Sequence, residues 1–206
     1  INVSEYAKIE VFKEQYFAES TPEVKADLKQ QINTATQNVL ATHNQFSNFK
    51  VEFDFKLFFS EVFHGINDGF DIVIGNPPYV STKNISDADK KAFLQLYGFA
   101  DDLYYHFIIK GFELLKPNGI NTMITPDTYF TTLTKKQLRN KLTTNKLCSL
   151  LHLGHDVFEE AMVSTAIFIA QKNEVTQNET IVIDARGKKE LSEAKYYTIP
   201  QSLYSN

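Results

Sequence analysis

Apolar positions in the first fifty residues recur at the spacing of an amphipathic helix. Val24, Leu28, Ile32 and Val39 fall on one face of such a helix, and mostly Lys, Gln and Asn lie between them. Because polar residues outnumber apolar ones here, little of the segment can be buried. We therefore predict a helical arm or insertion over residues 1–50, outside the main core.

Short apolar runs bounded by turn residues follow from position 70 onward, and they predict the strands of a sheet. The run 70–74 is rich in β-branched residues and ends at Gly75, a pattern typical of a strand buried on both faces. Later runs predict further strands over 120–125, 147–153, 164–170 and 180–183.

Helical patterns lie between the early strands. One predicts a helix over 103–115, and another predicts a helix from Thr134 to about Asn145, while 81–100 is typical of a polar loop. Strands that alternate with helices favour an α/β sheet with parallel crossovers. The last two predicted strands have no helix between them, so we expect them to form an antiparallel hairpin.

The composition is that of an ordinary globular domain and excludes a disordered or disulfide-stapled chain. The 206 residues are 43% hydrophobic and carry a net charge of −4, which excludes a uniformly basic nucleic-acid coat. The single Cys148 can form no internal disulfide, which favours a reducing, cytoplasmic compartment. No apolar stretch reaches the roughly 20 residues that cross a bilayer, so no membrane partner is expected.

The most informative motif is Asn76-Pro77-Pro78-Tyr79, directly after the first predicted strand. Each proline keeps the residue before it out of the helical region, and neither proline has an N–H group. The motif therefore predicts a stiff ledge at the carboxyl end of a strand, where open α/β sheets bind ligands. An amide oxygen, a backbone carbonyl and an aromatic ring on such a ledge suit a flat group that carries an amine, such as a nucleobase.

The motif and its flanks resemble the amino-methyltransferases that use S-adenosylmethionine, whose hallmark is Asn/Asp-Pro-Pro-Tyr/Phe after a buried strand. More narrowly, the chain is similar to the N6-adenine DNA methyltransferases of type IIG restriction–modification enzymes. The likeness extends over about 53–172 and includes Asp102-Leu103-Tyr104 and Leu153-Gly154 followed by Val157-Phe158. Four letters alone match by chance, but this ordered set is specific.

The resemblance implies a partial Rossmann-like methyltransferase sheet and a particular chemistry. Asn76, Pro77, Pro78 and Tyr79 would form the catalytic motif, with the Asn76 amide oxygen and the Pro77 carbonyl accepting the adenine N–H bonds. The adenine would leave double-stranded DNA and stack between Tyr79 and Phe158. The methyl donor would be S-adenosylmethionine, and no metal is required.

The resemblance also assigns two residues to the cofactor. Asp54 and Phe107 match positions that contact the cofactor in relatives, but no Gly-x-Gly loop occurs among the eight glycines. We therefore expect 51–185 to be the C-terminal part of a catalytic domain and 186–206 to be a linker toward a target-recognition domain. The chain, which opens on Ile1, would be inactive without the remaining domains of a longer polypeptide.

A local excess of basic residues suggests a contact with the DNA backbone. No acidic residue lies between Asp127 and Asp156, and Lys135, Lys136 and Arg139 occur in this interval. These side chains are predicted to face phosphates. The nearby His152-x-x-His155-Asp156 has residue types that bind metals, but it lacks further partners and predicts no metal site.

Two other readings remain open. The chain could be a non-catalytic DNA-binding or scaffolding fragment that keeps the fold without the activity. It could also belong to an enzyme that methylates RNA or a protein glutamine, because the same motif serves those amines and amides.

Overall fold

The computed structural model describes residues 3–46, 53–63, 68–155, 157–158, 163–175 and 177–204. The helices lie, in chain order, at α1 Val3–Ala18, α2 Pro22–Phe46, α3 Phe55–Phe58, α4 Asp87–Tyr97, α5 Leu103–Leu114 and α6 Lys136–Thr143. The strands are β1 Phe70–Gly75, β2 Leu115–Pro126, β3 Lys146–Gly154, β4 Thr165–Gln171, β5 Glu179–Asp184 and β6 Lys195–Pro200. No helix in these ranges is long and apolar enough to cross a membrane.

The chain divides into two compact units, Ile1–Asp68 and Gly69–Asn206. In the first unit α1 and α2 bury Ile9, Val39 and Leu40 together with Leu57 of α3. The helices α1 and α2 lie within the segment 1–50 that was predicted to be a helical arm or insertion, but the unit extends beyond residue 50 because α3 supplies part of its core.

The second unit is built around one mixed sheet of six strands in the order β1-β2-β4-β3-β5-β6. The strand β1 pairs in parallel with β2, and α4 and α5 form the crossover between them. The strand β4 runs antiparallel to both β2 and β3, which makes β2 and β3 parallel to each other. The carboxyl ends of β1, β2 and β3 therefore lie along the same edge of the sheet.

The two faces of this sheet differ in their burial. One face carries Met123, Phe168 and Leu150, which are buried in the main core with α5 and α6 residues. The opposite face carries a row of isoleucines, in which Ile74 is 79% and Ile181 is 48% exposed. Alternation of side chains along each strand produces this division.

The sequence predicted the α/β class and the first five strands, but some details are wrong. The strand β1, expected to be buried on both faces, exposes Ile72 and Ile74 on one of them. The polar loop expected near 81–100 contains α4, which Ser86 caps by accepting the Asp89 N–H bond. The expected hairpin of the fourth and fifth strands does not form, because β4 inserts between β2 and β3 while β5 pairs in parallel with β3. The range 186–206, expected to be a linker, contains β6, which pairs with β5.

Candidate active site

The motif Asn76-Pro77-Pro78-Tyr79 leaves the sheet at the carboxyl end of β1. Asn76 is exposed, Pro77 is buried and Pro78 is exposed. The neighbouring strand β2 supports this position through the pairing of Gly75 with Met123. The motif thus presents its asparagine to solvent from a backbone that is anchored by one proline.

The aromatic residues predicted to bind a base lie close together. The ring centroids of Tyr79 and Phe158 are 6.5 Å apart, and the ring planes meet at 72°, an edge-to-face arrangement. Phe158 belongs to the connection between β3 and β4, which starts at the same sheet edge as the motif. The Tyr79 hydroxyl is buried without a hydrogen-bond partner among the described residues, and burial raises the pKa of Tyr79.

A polar cluster lies at the end of β2. Asp127 Oδ2 accepts a 2.5 Å hydrogen bond from the Ser164 hydroxyl and lies 2.6 Å from His152 Nε2. The Asp127 backbone N–H also donates to the Ser164 carbonyl at 3.1 Å. His152 lies on β3 and Ser164 precedes β4, so Asp127 binds residues on both sides of the connection that carries Phe158.

The basic residues predicted to contact DNA have different environments. Lys136 is exposed, whereas the Arg139 guanidinium donates to the carbonyls of Tyr129 and Thr132 at 2.9 and 2.8 Å. Lys135 is only 7% exposed and forms ion pairs with Asp101 and Asp102. The assignment of Lys135 to the DNA backbone is therefore corrected, because its ammonium is buried between two carboxylates.

The two residues assigned to the cofactor are placed in different units. Phe107 lies on α5 and is 45% exposed, so its ring is available to a ligand. Asp54 caps α3 by accepting the Leu57 N–H bond at 2.9 Å, which gives its carboxylate a structural role in the first unit.

Several polar residues of this region were not assigned from the sequence. Asp127 and Ser164 come together only because β4 runs antiparallel between two other strands, which the sequence pattern does not reveal. The sequence does contain one signal that could have identified Asp127 as a site residue. It comes immediately after a strand that ends at the ligand-binding edge. Of the weak metal motif, His152 binds Asp127 instead, and Asp156 lies outside the described residues.

Residues 2–158 match the family model of the Eco57I restriction-modification methylase. A protein of Methanocaldococcus jannaschii assigned as a type II restriction enzyme and methyltransferase is 33% identical over 124 residues, which cover 59% of this chain and 10% of that protein. The type II methyltransferase M.HincII of Haemophilus influenzae is 34% identical over 126 residues, 57% of this chain and 25% of that protein. The chain therefore spans a quarter or less of the length of these relatives.

A structural comparison supports the assignment of the fold. The type IIG restriction endonuclease BpuSI superposes with a TM-score of 0.50 at 21% identity, and the match covers 66% of this chain and 20% of the other. This likeness agrees with the Rossmann-like sheet that was predicted from the sequence.

Proposed function

Because the chain belongs to the Eco57I restriction-modification methylase family, we propose that it forms the base-binding side of an adenine-N6 DNA methyltransferase. The substrate is an adenine flipped out of double-stranded DNA, and the reaction transfers a methyl group to its exocyclic nitrogen. The observation that carries the proposal is the placement of Tyr79 and Phe158 in ring contact, beside the exposed Asn76 at one sheet edge.

The amine of adenine is a poor nucleophile because its lone pair is delocalised into the ring. The Asn76 amide oxygen and the Pro77 carbonyl accept its two N–H bonds and favour the positive charge that develops on nitrogen. Dipoles that are fixed before the reaction stabilise this charge without a reorganisation cost. Pro78 and the buried Pro77 hold the backbone extended, so the acceptors stay in place.

The aromatic pair supplies the energy that keeps the adenine outside the duplex. Extrusion costs a few kcal/mol, and each base–aromatic stack returns about 1–3 kcal/mol. In the structure the two rings meet edge to face. The adenine exchanges this contact for stacking against the faces of Tyr79 and Phe158.

S-adenosylmethionine supplies an electrophilic methyl group when it is bound by the intact protein. Phe107, an exposed aromatic residue on α5, is the proposed contact to it in this unit. No Gly-x-Gly sequence occurs in the chain, and the proposal assigns the methionine end of the cofactor to other parts of the intact protein. We accordingly expect calorimetry on the chain alone to detect no cofactor binding, and binding at micromolar concentration would contradict this expectation.

DNA is the partner that this site requires, and Lys136 and Arg139 are the proposed contacts to its phosphates. Both lie near the start of α6, the helix that follows the end of β2. The remaining domains of the intact protein are the second partner, because they would supply the cofactor loop and recognition of the DNA sequence.

The test is a methyl-transfer assay on the intact protein with labelled S-adenosylmethionine and duplex DNA, followed by nucleoside analysis. N6-methyladenine is the expected product, and Asn76→Ala should lower kcat about 10²–10³-fold. Asn84→Ala, which changes another exposed asparagine eight positions further on, is the matched control. The proposal fails if the labelled product is not N6-methyladenine, or if Asn76→Ala retains full activity.

Parallel assays distinguish the alternative functions. Label that enters RNA or a protein glutamine, and not DNA, would support those substrates. Binding of DNA with no transfer to any substrate would favour a non-catalytic fragment, a reading that the missing Gly-x-Gly loop also allows.

A further inference from the structure

Lys135 belongs to a buried polar cluster that joins separate parts of the second unit. Its ammonium donates to Asp101 and, at 2.8 Å, to Asp102 Oδ2. It also lies 5.6 Å from the centre of the Tyr104 ring, within the range of a cation–π contact. The Tyr104 hydroxyl shares a 3.0 Å hydrogen bond with Thr128, just after β2.

Asp102 uses its second carboxylate oxygen to hold the segment that follows the motif. Oδ1 accepts hydrogen bonds from both the N–H group and the hydroxyl of Thr82, at 2.8 and 2.9 Å. Asp102 is the N-cap residue of α5, yet its side chain makes no capping bond to that helix. Aspartate at this position ordinarily accepts an N–H bond of the first turn. Here the Asp102 carboxylate accepts hydrogen bonds from Thr82 instead.

A backbone contact supports the same segment. The Leu103 N–H group donates to the Val80 carbonyl at 2.9 Å, directly after Tyr79. Together with the bonds from Thr82 to Asp102, this contact fastens the chain leaving the motif to the start of α5. Three hydrogen bonds within three residues leave little freedom to the position of Tyr79.

The turn before α5 is itself held from the other side. The Asp101 N–H group donates to His106 Nε2 at 3.1 Å, and the ring of His106 stacks at 3.9 Å on Phe93. The Asp102 N–H group donates to the Asp101 carboxylate at 2.6 Å. Asp101 and Asp102 are thus fixed both by a packed aromatic cluster and by Lys135.

The charges of the cluster match its geometry. Burial raises the pKa of Asp102, but the hydrogen bonds from Lys135 and Thr82 outweigh that effect and hold the pKa below its usual range. Burial lowers the pKa of Lys135, but the two aspartates outweigh it and the pKa is raised. Both partners therefore remain ionised at neutral pH.

We propose that Asp102 and Lys135 are positioning residues for methyl transfer: Lys135 fixes the carboxylate of Asp102, which holds Thr82 and thereby the motif Asn76-Pro77-Pro78-Tyr79 in its productive orientation. Neither residue touches the base. The inference rests on the proposed function, and its test includes a readout that does not depend on methylation.

The first experiment is hydrogen exchange of the 80–84 segment in the intact protein. Lys135→Met should raise the exchange rate of the Thr82 amide at least about tenfold, because its acceptor is no longer held. Lys135→Arg, which keeps the charge, should restore most of the protection. Lys110→Met, which removes an exposed lysine from α5, is the control and should leave this rate unchanged.

The second experiment measures kinetics and DNA binding in the same variants. Lys135→Met should lower kcat about tenfold to a hundredfold, since small misplacements of reacting groups have effects of this size. Its DNA affinity should keep the salt dependence of the unmodified protein. Lys136→Met should instead reduce the salt slope by about 1, as the loss of a phosphate contact does.

The outcomes separate the two proposals. If the unmodified protein makes no N6-methyladenine, the proposed function fails, while the exchange result still tests the link to Thr82. The inference is overturned if Lys135→Met changes the salt slope but neither kcat nor Thr82 exchange, which would mark a phosphate contact. If Lys135→Met does not fold, Asp102→Asn provides the same test with a nearly isosteric side chain, and unchanged kcat and exchange would also overturn the inference.

Discussion

Tyr79 and Phe158 meet edge to face with their ring centroids 6.5 Å apart. Tyr79 follows β1 and Phe158 follows β3, and these two strands are not neighbours in the sheet. They meet because β1 and β3 run in the same direction, so the segments that follow these strands begin at the same edge of the sheet. The contact requires no direct pairing between these strands, since β2 and β4 separate them.

Phe158→Ala should weaken stabilisation of the flipped adenine in the intact protein. Loss of one stacking face costs about 1–3 kcal/mol, which corresponds to roughly a 5- to 150-fold loss in kcat/KM. Fluorescence of 2-aminopurine at the target position should fall in parallel, because the base returns to the duplex. Tyr196→Ala, an exposed tyrosine on β6, is the control, and an equal loss in both variants would contradict a stacking role for Phe158.

Asp127→Asn should disturb the connection that carries Phe158. The variant keeps the size of the side chain but removes the charge that attracts the Ser164 hydroxyl and His152. Hydrogen bonds to charged groups contribute about 1.5–3 kcal/mol to stability. Because their loss allows Phe158 to move, kcat/KM should fall about tenfold or more. Steady-state methylation measures this effect. Asp184→Asn, which removes the charge that pairs with Arg186, should retain kcat/KM, and similar losses in both variants would argue against a specific role for Asp127.

The Asp102–Lys135 pair should make the stability of the second unit depend on pH at both extremes. The pKa of Asp102 is lowered, so its contribution is complete above the ordinary aspartate value of about 3.9 and is lost as pH falls through the folded-state pKa. The pKa of Lys135 is raised, so its contribution is complete below about 10.4 and is lost as pH rises through the folded-state pKa.

Urea unfolding at a series of pH values measures this dependence. Lys135→Met should lower the free energy of unfolding by about 3–5 kcal/mol near pH 7, because it leaves two carboxylates without their cation. The double variant Lys135→Met, Asp102→Asn should recover part of that loss. A double variant that is less stable by the sum of the single effects would show that the residues do not interact.

Gly111→Ala should destabilise the second unit despite the higher helix propensity of alanine. A Cβ atom at Gly111 of α5 would lie 2.7 Å from Asn121 Nδ2, and Asn121 is fully buried and donates to the Ile108 carbonyl. Overpacking of this kind costs about 1–3 kcal/mol, against a propensity gain of about 1 kcal/mol.

Thermal unfolding tests the origin of that effect. In an Asn121→Ala background the amide is absent, so the same Gly111→Ala change should become neutral or stabilising. A loss of equal size in both backgrounds would show that the contact with Asn121 is not the cause.

The sequence predicted the elements whose signals are local. The β-branched run before Gly75 gave β1, and the prolines of the motif identified the ledge that follows it. The order of strands was not accessible in this way, because the position of β4 depends on pairing across long distances. The wrong hairpin and the unexpected β6 both follow from that limit, since runs of similar composition can pair in several orders.

The roles of single residues were likewise predictable where the signal is local and not where it depends on contacts distant in sequence. Phe158 was assigned from a short flanking pattern, and the structure places it against Tyr79. Lys135 was counted with its basic neighbours because no acidic residue is close in sequence, yet its partners Asp101 and Asp102 lie more than thirty positions earlier. A local excess of basic residues predicts exposed side chains only when no acidic residue from a distant part of the sequence packs against them.

The exposed isoleucine face has a practical consequence for work on the isolated chain. Ile72 and Ile74 lie on β1, a strand at one end of the sheet order, where apolar side chains and strand backbone are presented together. Such edges are templates for pairing between molecules. Self-association of this chain should therefore increase with its concentration, and charged substitutions at these two positions should reduce it.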